Sequence, residues 1–324
     1  MRTWKLACSV YIILLLGLMA CTKEIIIDVP TVPSTIVVEG SIENGQAPFV
    51  ILTRTQGYFE PTDINALQDM FIKGATVTVS SLGNTILLDE LCTADLPEEL
   101  LPLVAEQAGI NIETLLLLDI CVYTSLNPAS YGQENTVYNL LIEVDGEVLT
   151  SSTKINTVIE LDSVWYATVD DSLGFAFANL SDPDTAGNAY RWFAKRINTY
   201  PAWSENAGDQ KDGSYIAPLG SSFTDEFFNG LSFEFAYFRG ELPNSTKEDD
   251  INEERGFFKV GDTIAVKSCV IDRGVYKFFS SFENQAGNQG SPLAVPANVK
   301  SNIDGGLGVW VGYGVSYDTI VCAY

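Results

Sequence analysis

Along most of this chain apolar and polar residues alternate in short runs, the period of a half-buried β-strand. Ile36 to Ile42, Phe49 to Thr55, Ala75 to Val79 and Ile86 to Leu88 are such runs, β-branched and bounded by Gly, Asn or Pro. Val137 to Val144 and Glu147 to Ser151 flank Asp145-Gly146, a dipeptide suited to a type I′ hairpin turn. The pattern restarts near Ile155 to Leu161. Ser163 to Val169 and Phe175 to Asn179 then read as a hairpin around Asp170-Asp171-Ser172. Ala189 to Ile197, Leu231 to Arg239, Thr263 to Ile271, Gly308 to Tyr313 and Ser316 to Tyr324 complete the strands. Helical spacing interrupts this in two regions. Between Cys92 and Cys121, Asp95, Pro97 and Glu98 give a start signal, Gly109 a stop, and Asn111 a second cap before Leu115 to Leu118. Val275, Phe278, Phe279 and Phe282 share a helical face behind Asp272 as cap.

These elements predict a mainly β chain of two antiparallel β-sandwich-like domains. The first, residues 35–157, carries the short helical insertion, and the second, residues 158–324, carries one helix. The Leu115 to Leu118 run serves either as a face packed on its own sheet or as a contact for a partner. Asn198 to Ser222, rich in Gly, Asn, Asp and Ser, reads as a long loop. Tyr200 and Trp203 in that loop are candidate binding residues, since loop aromatics stack on sugars or dock on partners. The competing reading folds them back over an end of the sandwich.

The N-terminus breaks the strand pattern. Arg2 and Lys5 precede a short apolar run, Leu6 to Gly17, which is well below the ~20 residues of a spanning helix. Leu18-Met19-Ala20-Cys21 follows and has the form of a lipobox. Residues 1–20 are therefore expected to be a lipoprotein signal peptide, Cys21 the lipidated first residue, and residues 21–34 a tether. Lys23-Glu24 partly matches a surface-export signal, with Ile25 where a second acid is usual.

Charge narrows the partners. The chain has 18 Lys plus Arg against 42 Asp plus Glu, a formal net charge of −24. Such a surface repels nucleic acid and anionic lipid, so attachment to a membrane falls to acyl chains on Cys21. The cysteines left after export are Cys92, Cys121, Cys269 and Cys322. In an oxidising compartment they suggest disulfides. Cys92 and Cys121 flank one insertion and are paired for that reason; Cys269 and Cys322 pair by elimination. A metal site is disfavoured, as the chain has no CxxC and 0 His.

The lack of histidine removes Ser-His-Asp and Cys-His catalysis. No nucleotide-binding loop or nucleophile elbow stands where it would need to be, so neither an enzyme nor a cofactor is expected. Gly305-Gly306-Leu307-Gly308 leads into a strand and reads as a tight turn rather than an anion cradle. The paired acids Asp170-Asp171, Asp182 with Asp184, and Asp249-Asp250 with Glu253-Glu254 would serve a glycosidase only if opposed across a cleft. Asp182, Asp184 and Asn188 offer calcium ligands, but an Asp-Pro turn capped by Asn188 is the simpler reading.

A set of short motifs in fixed order then resembles a known group. They are Ile36-Val37-Val38-Glu39-Gly40 with Ile42, Val50 to Thr55 with Tyr58, Gly74-Ala75-Thr76-Val77, and Tyr138-Asn139-Leu140. Asp182-Pro183 with Asn188 and Tyr190, Gly261-Asp262-Thr263, Tyr276 with Phe278, and Ser301 to Gly308 continue the series. In these the chain resembles the Bacteroidetes outer-membrane lipoprotein family catalogued as the 4249 domain of unknown function. The resemblance implies a β-sandwich lipoprotein on the outer membrane, at the cell surface, and a non-enzymatic accessory or binding subunit of a TonB-dependent transporter or assembly complex. The alternative is a stand-alone surface module for glycan or protein. It supplies no catalytic residue.

Overall fold

Strands whose two faces are both apolar must be covered on both sides, and the last third of the chain has two of them. Thr263–Ile271 is buried over nearly its whole length, and Leu307–Val321 over its middle. In the computed structural model, which describes residues 33–57, 63–108, 112–204, 207–240, 256–287 and 298–324, these two strands lie at the centre of one large sheet. The expected signal peptide, Cys21 and all but the end of the expected tether lie outside the described residues.

The strands are β1 Ile36–Glu43, β2 Phe49–Arg54, β3 Thr76–Ser81, β4 Asn84–Leu87, β5 Asp89–Cys92, β6 Cys121–Thr124, β7 Thr136–Val144 and β8 Glu147–Ile155. They continue with β9 Ser163–Asp170, β10 Leu173–Ser181, β11 Ala189–Arg196, β12 Ser222–Thr224, β13 Ser232–Tyr237, β14 Phe258–Lys259, β15 Thr263–Ile271 and β16 Leu307–Val321. The α-helices among the described residues are α1 Ile64–Asp69, α2 Leu101–Ala108, α3 Ile112–Leu117 and α4 Arg273–Gly287. None of them is long and apolar enough to cross a membrane.

The large sheet has eight strands in the order β12-β11-β15-β16-β1-β2-β6-β5. Two four-stranded sheets, β4-β3-β7-β8 and one built on β10 with β9, β13 and β14, pack on the same face of it. The first encloses a core around Val38, Val50, Leu140, Ile142 and Trp310, and the second a core around Tyr190, Trp192, Val266 and Phe258. Helices cover the opposite face. α2 and α3 pack Leu101, Val104 and Leu115 on Phe49, Ile51 and Val122. α4 packs Val275 and Phe279 on Cys269, Ile271, Val311 and Val315.

The chain is mainly β, with sandwich-like layers, as its pattern predicts. The division at residue 157 needs correction. It separates most of the two apolar cores but not the sheet, which takes β1, β2, β5 and β6 from one side and β11, β12, β15 and β16 from the other. Ser34–Tyr324 accordingly form one compact unit. The expected break between two final strands is also absent. β16 is continuous and changes partner instead, pairing parallel with β1 through Tyr313 and antiparallel with β15 from Gly314.

Local turn chemistry holds as read. Asp145 and Gly146 both have positive φ, at 53° and 81°, between β7 and β8. The Ser301 to Gly308 block is a turn that closes the first core. Asn302 accepts from the Trp310 N–H at 2.9 Å and donates to its carbonyl at 2.8 Å. Gly308, at φ +107°, is there because a Cβ would meet the Val38 carbonyl oxygen at 1.9 Å. Asp272 precedes α4 as expected, but its carboxylate accepts from the Lys154 N–H and the Asn156 amide and so ties the helix start to the end of β8.

Candidate functional site

The helix-covered face of the large sheet is not covered throughout. Between α2 and α4 lies a cavity of about 870 Å³. Its floor is made of the residues of β11, β15, β16 and β1 that point away from the two cores. Val309, Val311 and Tyr313 supply an apolar centre, and Arg191, Lys267, Glu39 and Glu43 supply charge. Phe278, Phe279 and Phe282 of α4 form one wall, and the segment 214–219 with Phe238 and Gly240 contributes another. Period-two alternation accounts for the placement: Arg191, Phe193 and Lys195 take one face of β11, Tyr190, Trp192 and Ala194 the other.

The charges on this floor differ in how they are satisfied. Lys267 is bound by Glu43, whose second oxygen accepts from the Tyr317 hydroxyl at 3.2 Å. Beside the cavity, Lys195 is bound by Glu106 at 2.5 Å, joining β11 to α2. Among the described residues, no carboxylate bonds Arg191. Its Nε and Nη1 are buried without a hydrogen-bond partner. Its guanidinium carbon lies 3.3 Å from the Phe279 ring centroid and 5.0 Å from that of Phe193. Stacking of this kind attracts a cation but uses none of its N–H donors.

Glu39 and Arg191 both keep accessible surface while protein encloses them on almost every side, as groups on a cavity wall do. Burial pushes the Glu39 carboxyl above the usual carboxylate range, and the Arg191 charge opposes that rise. Glu283, which accepts from the Gly220 N–H and the Ser222 hydroxyl, is raised by burial in the same way. A carboxyl with a raised folded value favours folding when protonated; that contribution is present at low pH and is lost as pH rises through the folded value. Glu39→Gln should therefore raise the thermal midpoint near neutral pH and leave it unchanged well below the ordinary carboxylate value of about 4.3. Parallel melts at the two pH values check this, and a lower midpoint at neutral pH would show that Arg191 holds the ionised form.

The residues singled out in the sequence fall elsewhere. Tyr200 is 4 % exposed, with its ring 5.8 Å from the Lys211 ammonium, so it belongs to the loop's interior and is not a contact residue. Trp203 is 80 % exposed. Asp182 spends its oxygens on the Tyr190 hydroxyl, the Asn188 amide and the Gly230 N–H, which makes it the anchor of a turn. The leucine run divides: Leu115 and Leu118 are buried, Leu116 and Leu117 exposed.

Cys92 and Cys121 form a disulfide at the base of the insertion, as their flanking positions suggest. The second pairing is corrected. Cys269 and Cys322 are free and buried. Cys269 stands opposite Val315, seven positions along β16 from Cys322, a separation of roughly 23 Å at strand rise. They also face opposite sides of the sheet, one under α4 and the other in the second sandwich core. A bridge needs Cα atoms within ~7 Å. Burial pushes both thiols up to about 12. Iodoacetamide should thus leave both unmodified in the native protein and alkylate both after unfolding without reductant; Cys92 and Cys121 should need reductant as well. Peptide mapping reads the result, and a Cys269–Cys322 link would refute it.

Sequence reasoning missed Arg191, Glu39 and Lys267 as a group. The usable signal was a charged residue inside strands otherwise apolar on both faces, as in Ala189–Arg196 and Thr263–Ile271.

No curated protein and no solved structure matches the chain significantly. The family described as domain of unknown function DUF4249 matches residues 22–318, nearly the whole length. That span takes in every strand except the last three residues of β16, and every cavity residue, and the chain belongs to the DUF4249 family.

Proposed function

We propose that this protein is a lipid-anchored, non-enzymatic binding subunit of the outer membrane, facing the cell surface and working beside a TonB-dependent barrel. The observation that carries the binding reading is the cavity on the large sheet, with apolar walls and an unpartnered guanidinium on its floor. Pockets of this size, largely apolar with a few convergent polar groups, suit small-molecule recognition. The anchor rests on Leu18-Met19-Ala20-Cys21, and the surface placement on Lys23-Glu24. Exposed Leu103, Leu116 and Leu117 on the insertion and Trp203 on the long loop are the contact regions offered to a barrel.

Two measurements test this. Cys21→Ala should abolish fatty-acid labelling and release the protein from membranes; a labelled, membrane-held mutant would refute the anchor. Crosslinking from positions 116 and 203 in intact cells, followed by affinity purification, should recover a large β-barrel protein. Recovery of none, with protease sensitivity at the surface intact, would favour the stand-alone binding module.

A further inference from the structure

The cavity floor carries two cations, Arg191 and Lys267, with Lys195 beside them on β11, and two of the three are matched. Lys267 has Glu43, and Lys195 has Glu106. Among the described residues Arg191 has only ring faces, with two of its nitrogens buried and unpaired. A buried cation without hydrogen-bond acceptors is costly, and folds rarely keep one unless a further group completes it. A planar guanidinium is best completed by a carboxylate, which takes two parallel N–H bonds.

We propose that the cavity binds a small amphipathic organic carboxylate, with its carboxylate on the Arg191 guanidinium and its apolar part against Phe278, Phe279 and Phe282. One unmatched cation calls for one negative charge. Glu39 lines the same cavity, and Glu283 of α4 also lies within electrostatic reach of Arg191, so a doubly charged phosphate would meet more repulsion than a carboxylate. The walls then set the rest of the ligand. Phenyl rings and Val37, Val309 and Val311 offer apolar surface and few further hydrogen bonds. The volume of about 870 Å³ lies within the range of small-molecule sites. This deepens the binding reading above and rests on it, but it needs no barrel partner.

The test uses the acylated full chain in lipid nanodiscs and calorimetric titration with 4-phenylbutyrate, empty nanodiscs being subtracted. 4-Phenylbutyramide, acetate and inorganic phosphate are the comparisons. 4-Phenylbutyrate should bind, and each comparison should bind at least about 10-fold more weakly. Arg191→Met should weaken 4-phenylbutyrate by about 10- to 100-fold, and Arg191→Lys by less. In the absence of the probe, Arg191→Met should keep or raise the thermal midpoint, because it removes an unmatched buried charge. Phe282→Ala, at a half-exposed rim position, should weaken binding with the midpoint unchanged. No binding of 4-phenylbutyrate, equal binding of its amide, equal binding by Arg191→Met, or a midpoint lowered by Arg191→Met would overturn the proposal. Carboxylate binding without recovery of a barrel would sink the transporter partnership alone; recovery of a barrel without carboxylate binding would sink this inference alone.

Discussion

Trp310→Ala is expected to destabilise the protein by about 3–5 kcal/mol, the usual cost of emptying a large aromatic site. Trp310 is 0 % exposed and fills the first sandwich core between β16, β1 and the β7–β8 hairpin. Its indole N–H donates to the Tyr138 carbonyl at 3.0 Å, a buried hydrogen bond that truncation also removes. The ring lies directly over Gly40, where a Cβ would meet its Cε3 at 2.8 Å. Gly40→Ala should accordingly cost about 1–3 kcal/mol by overpacking. In the Trp310→Ala background it should cost much less, because the colliding atom is gone. Urea unfolding of the two single variants and the double variant measures this. Additive effects would show that the two positions do not press on one another.

The second large effect is expected at Asp212. Its Oδ2 accepts from the Arg196 backbone N–H at 2.7 Å and from Nε at 3.0 Å, and its Oδ1 accepts from Nη2 at 2.8 Å. Arg239 Nη1 stands 3.9 Å away. Arg196, Arg239 and Asp212 are 2 %, 1 % and 2 % exposed. Asp212→Ala removes a carboxylate that bonds Arg196 and faces Arg239, both buried, which should cost about 3–5 kcal/mol. Replacing Arg196 and Asp212 together by Met and Leu should recover much of that loss, since a buried pair seldom outperforms well-packed apolar residues. Thermal and urea unfolding decide it, and a loss below about 1 kcal/mol for Asp212→Ala would place the pair in solvent-like surroundings.

This buried pair throws the cavity into relief. On the core side of β11, Arg196 has a carboxylate aligned with three of its N–H groups. On the cavity side of the same strand, Arg191 has none among the described residues. The fold can satisfy a buried arginine, and at Arg191 it leaves the acceptor to be supplied.

Much of the secondary structure was legible because its signals are local. Asp145-Gly146 marked the β7–β8 hairpin, and Asp170-Asp171-Ser172 marked the β9–β10 hairpin, where Asp171 takes φ 42°. The flanking cysteines marked the helical insertion and its disulfide. Order across the sheet was not legible. β1 pairs in parallel with β16, joining Val38 to Gly308 across almost the entire chain, and nothing local in either segment announces it. That pairing merges what reads as two domains into one sheet. It is also what assembles the site: Glu39 comes from the first strand, Arg191 from the middle of the chain, and Tyr313 from the last strand. In each strand alone, a charge at an alternating position reads as facing solvent. Only the register of four neighbouring strands puts these charges on one enclosed face. Tyr200 misled for the reverse reason, since a polar loop sequence gives no sign that the loop packs its tyrosine inward.

The most direct test of carboxylate binding at Arg191 is a crystal structure of the protein grown with 4-phenylbutyrate, beside a ligand-free one. The carboxylate should lie within hydrogen-bond distance of Arg191 Nε and Nη1 and the phenyl ring against Phe279, with no protein carboxylate on Arg191 in the ligand-free crystal. An Arg191 already paired with a carboxylate of its own chain, or a probe bound away from the cavity, would contradict it.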